Sequence, residues 1–252
     1  MDTSLYRHKS MHLYKPINAY GAIGDCQSIV LVAPNGSIDW GCLPDFDSPA
    51  IFCRLLDEQQ GGYFQIAPAS GTVPGTQRYL PGSNVLQTCF TSTAGAITLT
   101  DFLPVESVSA WPLRAKGQKA STSQNSLDQC LVRIVECIHG ELPIMVRLKV
   151  TPNYASSSSE VSLFPNRGVL VSSIDQHTGL AIFDERGISD LPMTLEQEPG
   201  EIHPTVVLQT TLREGERLLF ALGIESTAAA ARSLIETVLP QRDFTTELAQ
   251  TL

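Results

Sequence analysis

Among the 26 acidic residues of this sequence, five aspartates are candidates for acid–base chemistry: Asp39, Asp45, Asp47, Asp57 and Asp101. Two carboxyl groups held at a suitable separation can act as a general acid and a general base. An aspartate beside a turn, however, commonly caps backbone N–H groups, and Asp47 precedes a predicted helix whose positive end favours an anion. The local sequence therefore favours structural over catalytic carboxylates.

Trp40 has a side chain that could stack on a sugar ring, because an aromatic face suits the C–H side of a carbohydrate. Its alternation with Ile38 and Cys42 is also the pattern of a strand that faces a core. Between these alternatives, the alternation favours a core position.

The cysteines and histidines show no spacing typical of a metal site. No C-x-x-C is present, and several cysteines lie in apolar runs where they pack as small hydrophobic residues. The segment Gly21-Ala-Ile-Gly24 lacks the third glycine of a dinucleotide-binding loop. We therefore expect neither a metal nor a cofactor.

The elements that position these residues are predicted to be strands. Residues 26–33 and 37–43 flank Asn35-Gly36, a strong signal for a two-residue type I′ hairpin turn. In regular alternation Ile38, Trp40 and Cys42 share one face of the second strand, and Asp39 lies on the other.

Further alternating runs follow at short spacing. Runs 130–138 and 144–150 flank His139-Gly140-Glu141, which predicts a hairpin, and runs 205–212 and 217–224 flank a tight turn at 213–216. Strands in succession without long helices between them indicate antiparallel sheets. The sequence therefore predicts an all-β antiparallel sandwich of ten or more strands.

Helical patterns occur in two places. Ser48 and Pro49 suit the start of a short helix near 48–58, which Gly61-Gly62 would end. A second helix is predicted from 226 to 239, with a further helical stretch at 245–252. The polar segment 106–129, which includes Trp111, is expected to be mobile.

The net charge and the distribution of apolar residues limit the partners that the chain is expected to bind. The 252 residues carry a formal charge of −9, from 17 basic and 26 acidic residues, which disfavours binding to nucleic acid. The first residues lack the apolar core of a signal peptide, and no apolar run approaches the length of a membrane span. These observations predict a reduced, cytoplasmic protein that binds neither nucleic acid nor membrane.

A set of short sequence landmarks is spread over almost the whole chain. It comprises Ile23-Gly-Asp-Cys26, Asn35-Gly-Ser-Ile-Asp-Trp40, Cys42-Leu-Pro-Asp-Phe-Asp-Ser-Pro49, Leu55-Leu-Asp57, Gly61-Gly62, Leu99-Thr-Asp-Phe-Leu-Pro104, Leu131-Val-Arg133, Val135-Glu136, Thr151-Pro-Asn-Tyr154 and Gly215-Glu-Arg-Leu-Leu-Phe220. In this order the landmarks resemble the opening of glycoside hydrolase family 15, in its bacterial and archaeal glucoamylase and trehalase branch.

The resemblance implies a supersandwich-like domain at 1–225 and a helical linker at 226–252, leading to an (α/α)₆ barrel that carries both catalytic glutamates of the family. This chain lacks the positions of that catalytic motif. The implied function is a non-catalytic domain that packs on the barrel and shapes the entrance for an α-glucoside. The alternative is a stand-alone module that binds carbohydrate or protein.

The residues expected near substrate or partner lie in and after the hairpin: Asp39, Trp40, Asp45, Phe46 and Asp47. Phe46 and an apolar helix stripe of Leu234, Ile235 and Val238 are expected to form an exposed docking surface. The isolated chain is then expected to form a homo-oligomer through this surface or to carry a mobile tail.

Overall fold

The computed structural model describes residues 14–70, 74–105, 130–164, 168–184, 191–197 and 199–252; the segment 106–129 with Trp111 lies outside these ranges. A short 3-10 helix (Ile17–Ala19) precedes the strands. The strands are β1 (Gly21–Gly24), β2 (Ile29–Val32), β3 (Ser37–Cys42), β4 (Ala50–Phe52), β5 (Tyr63–Pro68), β6 (Thr76–Tyr79), β7 (Leu86–Thr91), β8 (Gly95–Phe102), β9 (Leu131–Lys149), β10 (Glu160–Phe164), β11 (Gly168–Ser172), β12 (His177–Asp184), β13 (Met193–Glu196), β14 (Thr205–Arg213) and β15 (Arg217–Glu225).

The strands form two antiparallel sheets that share β9. Sheet A has the order β1-β2-β3-β5-β9-β14-β13, with β4 paired to β3. Sheet B has the order β6-β7-β8-β9-β15-β12-β11-β10. The predicted all-β antiparallel fold is confirmed.

The hairpin predicted at 139–141 is wrong. The chain continues as one bent strand, in which Leu131–Glu136 pairs within sheet B and Glu141–Leu148 pairs within sheet A. Gly140 lies at the bend with φ +72°, a backbone conformation that glycine adopts without steric penalty. A glycine-centred turn signal therefore marks a corner between sheets.

The turn predicted at 213–216 forms at the same corner. The amide of Glu216 donates to the Arg213 carbonyl at 2.8 Å, and Gly215 has φ +78°. Its flanking strands pair with different halves of β9 rather than with each other. The corner is held by hydrogen bonds from the Glu214 amide to the Gly140 carbonyl and from the Gly215 amide to the Cys137 carbonyl.

The main core lies between the two sheets. It takes alternate side chains from both, which buries the apolar face of each strand, as in a sandwich. Its largest members include Phe52, Phe64, Ile66, Leu86 and Phe220. The run 144–150 follows the predicted alternation, since Ile144, Val146, Leu148 and Val150 all belong to this core.

The helix predicted near 48–58 is also wrong. Ala50–Phe52 is strand β4, with all three residues buried, and turns follow it. The amides of Cys53 and Arg54 donate to the Gly62 carbonyl, while the Ile51 carbonyl accepts from the Thr151 amide. These pairings satisfy the backbone better than an isolated helical turn would, so tertiary contacts override the helical pattern.

The C-terminal helical prediction is confirmed. Helix α1 (Ala228–Ser233) continues as a π segment (Leu234–Val238) and a 3-10 turn (Leu239–Gln241), and α2 (Phe244–Thr251) follows. The stripe expected to be exposed is not, because Leu234 and Ile235 pack in a second cluster against Leu170, Ala181 and Ala221 of sheet B. The helices therefore cover the outer face of their own sheet.

The Asn35-Gly36 turn forms where it was predicted, although in a different geometry. Gly36 has φ +74°, whereas Asn35 is not among the residues with positive φ, so the turn is not type I′. The Gly36 amide donates to the Ala33 carbonyl at 2.9 Å, and the Ala33 amide donates to the Ser37 carbonyl at 2.7 Å. The sequence thus predicted correctly that this turn needs a glycine with a positive φ.

Candidate functional site

A bulge in β3 places Asp39. Leu31 pairs with Trp40 and Val32 pairs with Ile38, so Asp39 is the extra residue between them. The expected alternation is therefore broken: Ile38 enters the core between the sheets, whereas Trp40 and Cys42 pack in a separate small cluster with Ala50 and Cys53.

The Asp39 carboxylate is buried and fully engaged. It accepts hydrogen bonds from the Ser37 hydroxyl at 2.5 Å, the Tyr20 hydroxyl at 2.9 Å and the Lys15 ammonium at 3.0 Å. Burial and the adjacent carboxylate raise the pKa of the Tyr20 hydroxyl well above its usual value, so it stays a donor. The arrangement ties the segment before β1 to β3.

Trp40 lies beside a left-handed turn. Its ring centroid is 6.4 Å from that of Tyr154, with the planes inclined by 46°. Asn153, Tyr154 and Ala155 have φ values of +53°, +56° and +64°. Such conformations are uncommon for residues other than glycine and persist where surrounding contacts fix them. Here the Tyr154 amide donates to the Ala50 carbonyl at 3.0 Å.

The loop that contains Asp45, Phe46 and Asp47 extends into solvent, and all three residues are exposed. The Phe46 amide donates to the Gln27 carbonyl at 2.8 Å, which fixes the base of the loop. The Ser48 hydroxyl accepts from the Asp45 amide at 3.1 Å. The Phe46 ring is 57% exposed, which agrees with its predicted exposure.

A cleft of about 420 Å³ opens beside this loop. Its walls come from four segments distant in sequence: the 43–49 loop, the 152–157 turn, the 173–176 turn and the end of β15. The apolar part of the lining is Leu43, Pro44, Pro49, Pro152 and Ile224. The polar part is Ser48, Asn153, Ser157, Ser173, Asp175, Gln176, Glu225 and Ser226.

Three of the segments that form the cleft each carry one exposed apolar side chain that is not part of the lining. These are Phe46 of the 43–49 loop, Tyr154 of the 152–157 turn and Ile174 of the 173–176 turn, and Ile174 is 86% exposed. Exposed apolar side chains that form one patch on a surface are typical of an interaction site. Tyr154 and Ile174 were not among the predicted site residues; the Thr151-Pro-Asn-Tyr154 landmark marked the first, and no sequence pattern marked the second.

The five aspartates do not form one catalytic group. Asp45 and Asp47 share the exposed loop, while Asp39 belongs to the buried network with Tyr20 and Lys15. Asp57 accepts from the amides of Gln59 and Gln60 at 2.9 Å each, as a turn cap. Asp101 is buried against Arg133. The roles of Asp39, Trp40, Asp45, Phe46 and Asp47 toward a ligand stay predictions.

The described ranges include no group of three His, Cys, Asp or Glu side chains that could hold a metal ion. No helix in the same ranges is long and apolar enough to cross a membrane.

Comparison with known proteins supports the resemblance. Residues 11–112 match the family described as "Trehalase-like, N-terminal". A trehalase of Mycolicibacterium smegmatis is 27% identical over 220 residues, which cover 87% of this chain and 28% of that protein. A trehalase of Thermoplasma volcanium is 47% identical over 93 residues, which cover 36% of this chain and 15% of that protein.

Among solved structures, a bacterial glucoamylase complexed with acarbose shares the fold. It aligns over 95% of this chain and 36% of its own length, with a TM-score of 0.57 and 10% identity. The chain thus spans less than a third of the trehalases that it matches. Residues 11–112 are thus similar to the N-terminal part of trehalases, and the chain shares the fold of part of a glucoamylase.

Proposed function

We propose that the chain is the non-catalytic N-terminal domain of a glycoside hydrolase of the glucoamylase and trehalase type. In this proposal it packs on a catalytic (α/α)₆ barrel of the same protein and shapes the entrance for an α-glucoside. Membership of glycoside hydrolase family 15, with a domain at 1–225 and a linker at 226–252, is part of the proposal.

The match to trehalases is the observation that carries the proposal. A segment that aligns with 28% of a trehalase leaves room in that protein for a separate catalytic domain. Within this chain the aspartates at 39 and 101 are held in buried networks, and Asp57 caps a turn. Such carboxylates are committed to structure and are poorly placed to exchange protons with a substrate.

Exposed residues in the loops that form the cleft support a docking face. Phe46, Tyr154 and Ile174 are exposed, one in each of three of these loops, while Leu234 and Ile235 are covered by the chain itself. Exposed aromatic side chains are enriched at protein interfaces. The docking face is therefore assigned to the loops at the cleft rather than to the helices.

A cytoplasmic location is also proposed. None of the six cysteines, all of which lie in the described ranges, forms a disulfide, although Cys42 and Cys53 pack in one cluster. Burial raises the pKa of the Cys42 thiol, which keeps it in the unreactive protonated form. Thiols without disulfides are usual in reducing compartments.

Amide hydrogen exchange tests the docking face. Exchange in the 43–49 loop and the 173–176 turn would be compared between the isolated chain and the product of the complete gene from its natural source. The proposal predicts slower exchange of both segments in the complete product, because the barrel would cover them. The 213–216 turn lies at the corner between the sheets and serves as the control.

Equal exchange in both samples would contradict docking at this face. A complete gene product of the same mass as this chain, 27.3 kDa, would favour the stand-alone module instead.

A further inference from the structure

The cleft beside the 43–49 loop has the size and lining of a small-ligand site. Its volume of about 420 Å³ lies within the range of roughly 300–1,000 Å³ typical of such sites. Leu43, Pro44 and Ile224 give it apolar walls, and other residues of the lining carry hydroxyl, amide and carboxylate groups. A surface of this kind matches a ligand that carries both C–H faces and hydroxyl groups.

The polar groups of one wall are available to a ligand. The side chains of Asp175, Gln176 and Glu225 make no hydrogen bond or ion pair within the described part of the chain. By contrast, the Ser173 hydroxyl is used, since it donates to the Gln176 carbonyl at 3.0 Å and holds the turn. The turn is thus fixed by its backbone while the carboxylate and amide groups can accept from or donate to hydroxyls.

The charge of the lining disfavours anionic ligands. Asp175 and Glu225 line the cleft, Asp45 and Asp47 lie in the adjoining loop, and the lining includes no lysine or arginine. A phosphorylated or carboxylated ligand would be repelled by these charges. A neutral ligand with many hydroxyl groups is accommodated, because ionised carboxylates are strong hydrogen-bond acceptors.

We propose that this cleft binds a neutral oligosaccharide, through Asp175, Gln176 and Glu225 on one wall and the apolar residues of the 43–49 loop on the other. The choice of an α-linked glucoside rests on the proposed function. Ligand sites often lie at domain interfaces, and the segments that form this cleft also carry the exposed Phe46, Tyr154 and Ile174. In the complete protein the cleft would lie at the contact with the barrel and hold sugar units at the barrel entrance.

Nuclear magnetic resonance titration of the isolated chain tests the proposal, with maltotriose, trehalose and glucose 6-phosphate as probes. We expect maltotriose to shift the backbone amide signals of Ser157, Ser173, Gln176 and Glu225 in a saturable manner. Glucose 6-phosphate should shift them less at equal concentration, because its phosphate meets the acidic lining.

A double variant, Asp175→Ala with Gln176→Ala, locates the site. It should weaken maltotriose binding at least about tenfold, equivalent to ~1.4 kcal/mol. Glu160→Ala, an exposed carboxylate change in β10, should leave the binding unchanged. An unchanged melting midpoint of the double variant would show that lost binding does not reflect unfolding.

Each other outcome overturns the proposal. These outcomes are no saturable shift with either sugar, shifts confined to residues away from the cleft, or full binding by the double variant. Binding of a synthetic Arg/Lys-rich peptide at the cleft, without maltotriose binding, would show that the cleft takes a protein partner. None of these results tests whether the chain docks on a barrel, because that proposal is tested by amide hydrogen exchange in the complete gene product.

Discussion

Arg133 of β9 forms a two-pronged ion pair with Asp101 of β8, at 2.8 Å from Nε and 3.2 Å from Nη2, with both side chains fully buried. The same guanidinium donates to the carbonyl oxygens of Gly36, at 2.8 Å, and Phe64 in sheet A. Burial raises the pKa of Asp101, and the guanidinium opposes that shift. One side chain therefore links the two sheets inside the core.

Removing either member of this pair is expected to destabilise the domain strongly. Arg133→Met leaves the Asp101 carboxyl buried without its partner, and breaking such a pair costs about 3–5 kcal/mol. The free energy of unfolding would be measured by urea denaturation. Arg133→Met combined with Asp101→Leu should cost less than the sum of the two single changes, because no buried charge is left over.

An exposed pair provides the control for this prediction. Arg213 lies 3.6 Å from Glu141, with both side chains mostly exposed, so Arg213→Met should change the unfolding free energy by no more than ~0.5 kcal/mol. Equal effects of Arg133→Met and Arg213→Met would contradict a structural role for the buried pair.

Gly36→Val should destabilise the domain by more than the strain of its backbone conformation. A Cβ atom at Gly36 would lie 2.1 Å from the Ile66 carbonyl oxygen, and φ is +74°. Gly82→Val is the matched control, since Gly82 has φ +78° but no atom within 4 Å of a built Cβ. The control should cost on the order of 1–3 kcal/mol and Gly36→Val clearly more.

Thermal denaturation of both variants measures the difference. If both lowered the midpoint equally, contact between the turn and β5 would have no energetic role.

Acid should destabilise the chain through His203. Burial lowers the pKa of this imidazole, with a smaller contribution of the same sign from Lys149, while the Ala155 carbonyl and Glu201 oppose the shift. The pKa of His203 is thus lower in the folded chain than its unfolded value of about 6.5. Folding therefore favours the neutral imidazole. The contribution of His203 to the free energy of unfolding is present above pH ~6.5 and is lost as the pH falls through the folded pKa. The melting midpoint should therefore drop between pH ~7 and ~5.

His203→Gln isolates this contribution, because glutamine does not titrate and can still bond to the Ser159 hydroxyl, which lies 3.0 Å from Nδ1. Its midpoint should change less over the same pH range than that of the natural sequence. Identical pH profiles for the two proteins would assign the acid sensitivity to other groups.

Local patterns predicted much of this fold, because alternation reports which face of a strand is buried. Gly36 and Gly215 were recognised as turn glycines, and both have positive φ. Gly140 was recognised too, but its signal is the same for a hairpin and for a corner between sheets. Only the pairing of β9 with both sheets separates the two cases.

The features that the sequence did not predict depend on contacts between segments that are distant along the chain. The bulge at Asp39 depends on register with β2, and β4 depends on pairing with Gly41 and Cys42 of β3. The cleft combines four segments distant in sequence, so residues such as Ile174 and Asp175 gain their setting only from the fold. The exposed Phe46 loop, in contrast, was predicted correctly because it lies within one distinctive motif.

Glucose release from trehalose and maltose is the most direct test of the proposed accessory role. The purified chain of 252 residues and the complete gene product would be assayed side by side. We predict hydrolysis by the complete product and none above the blank by the chain, since its buried aspartates are committed to structural networks. Sustained release by the chain alone, abolished by Asp39→Asn or Asp101→Asn, would contradict a non-catalytic role.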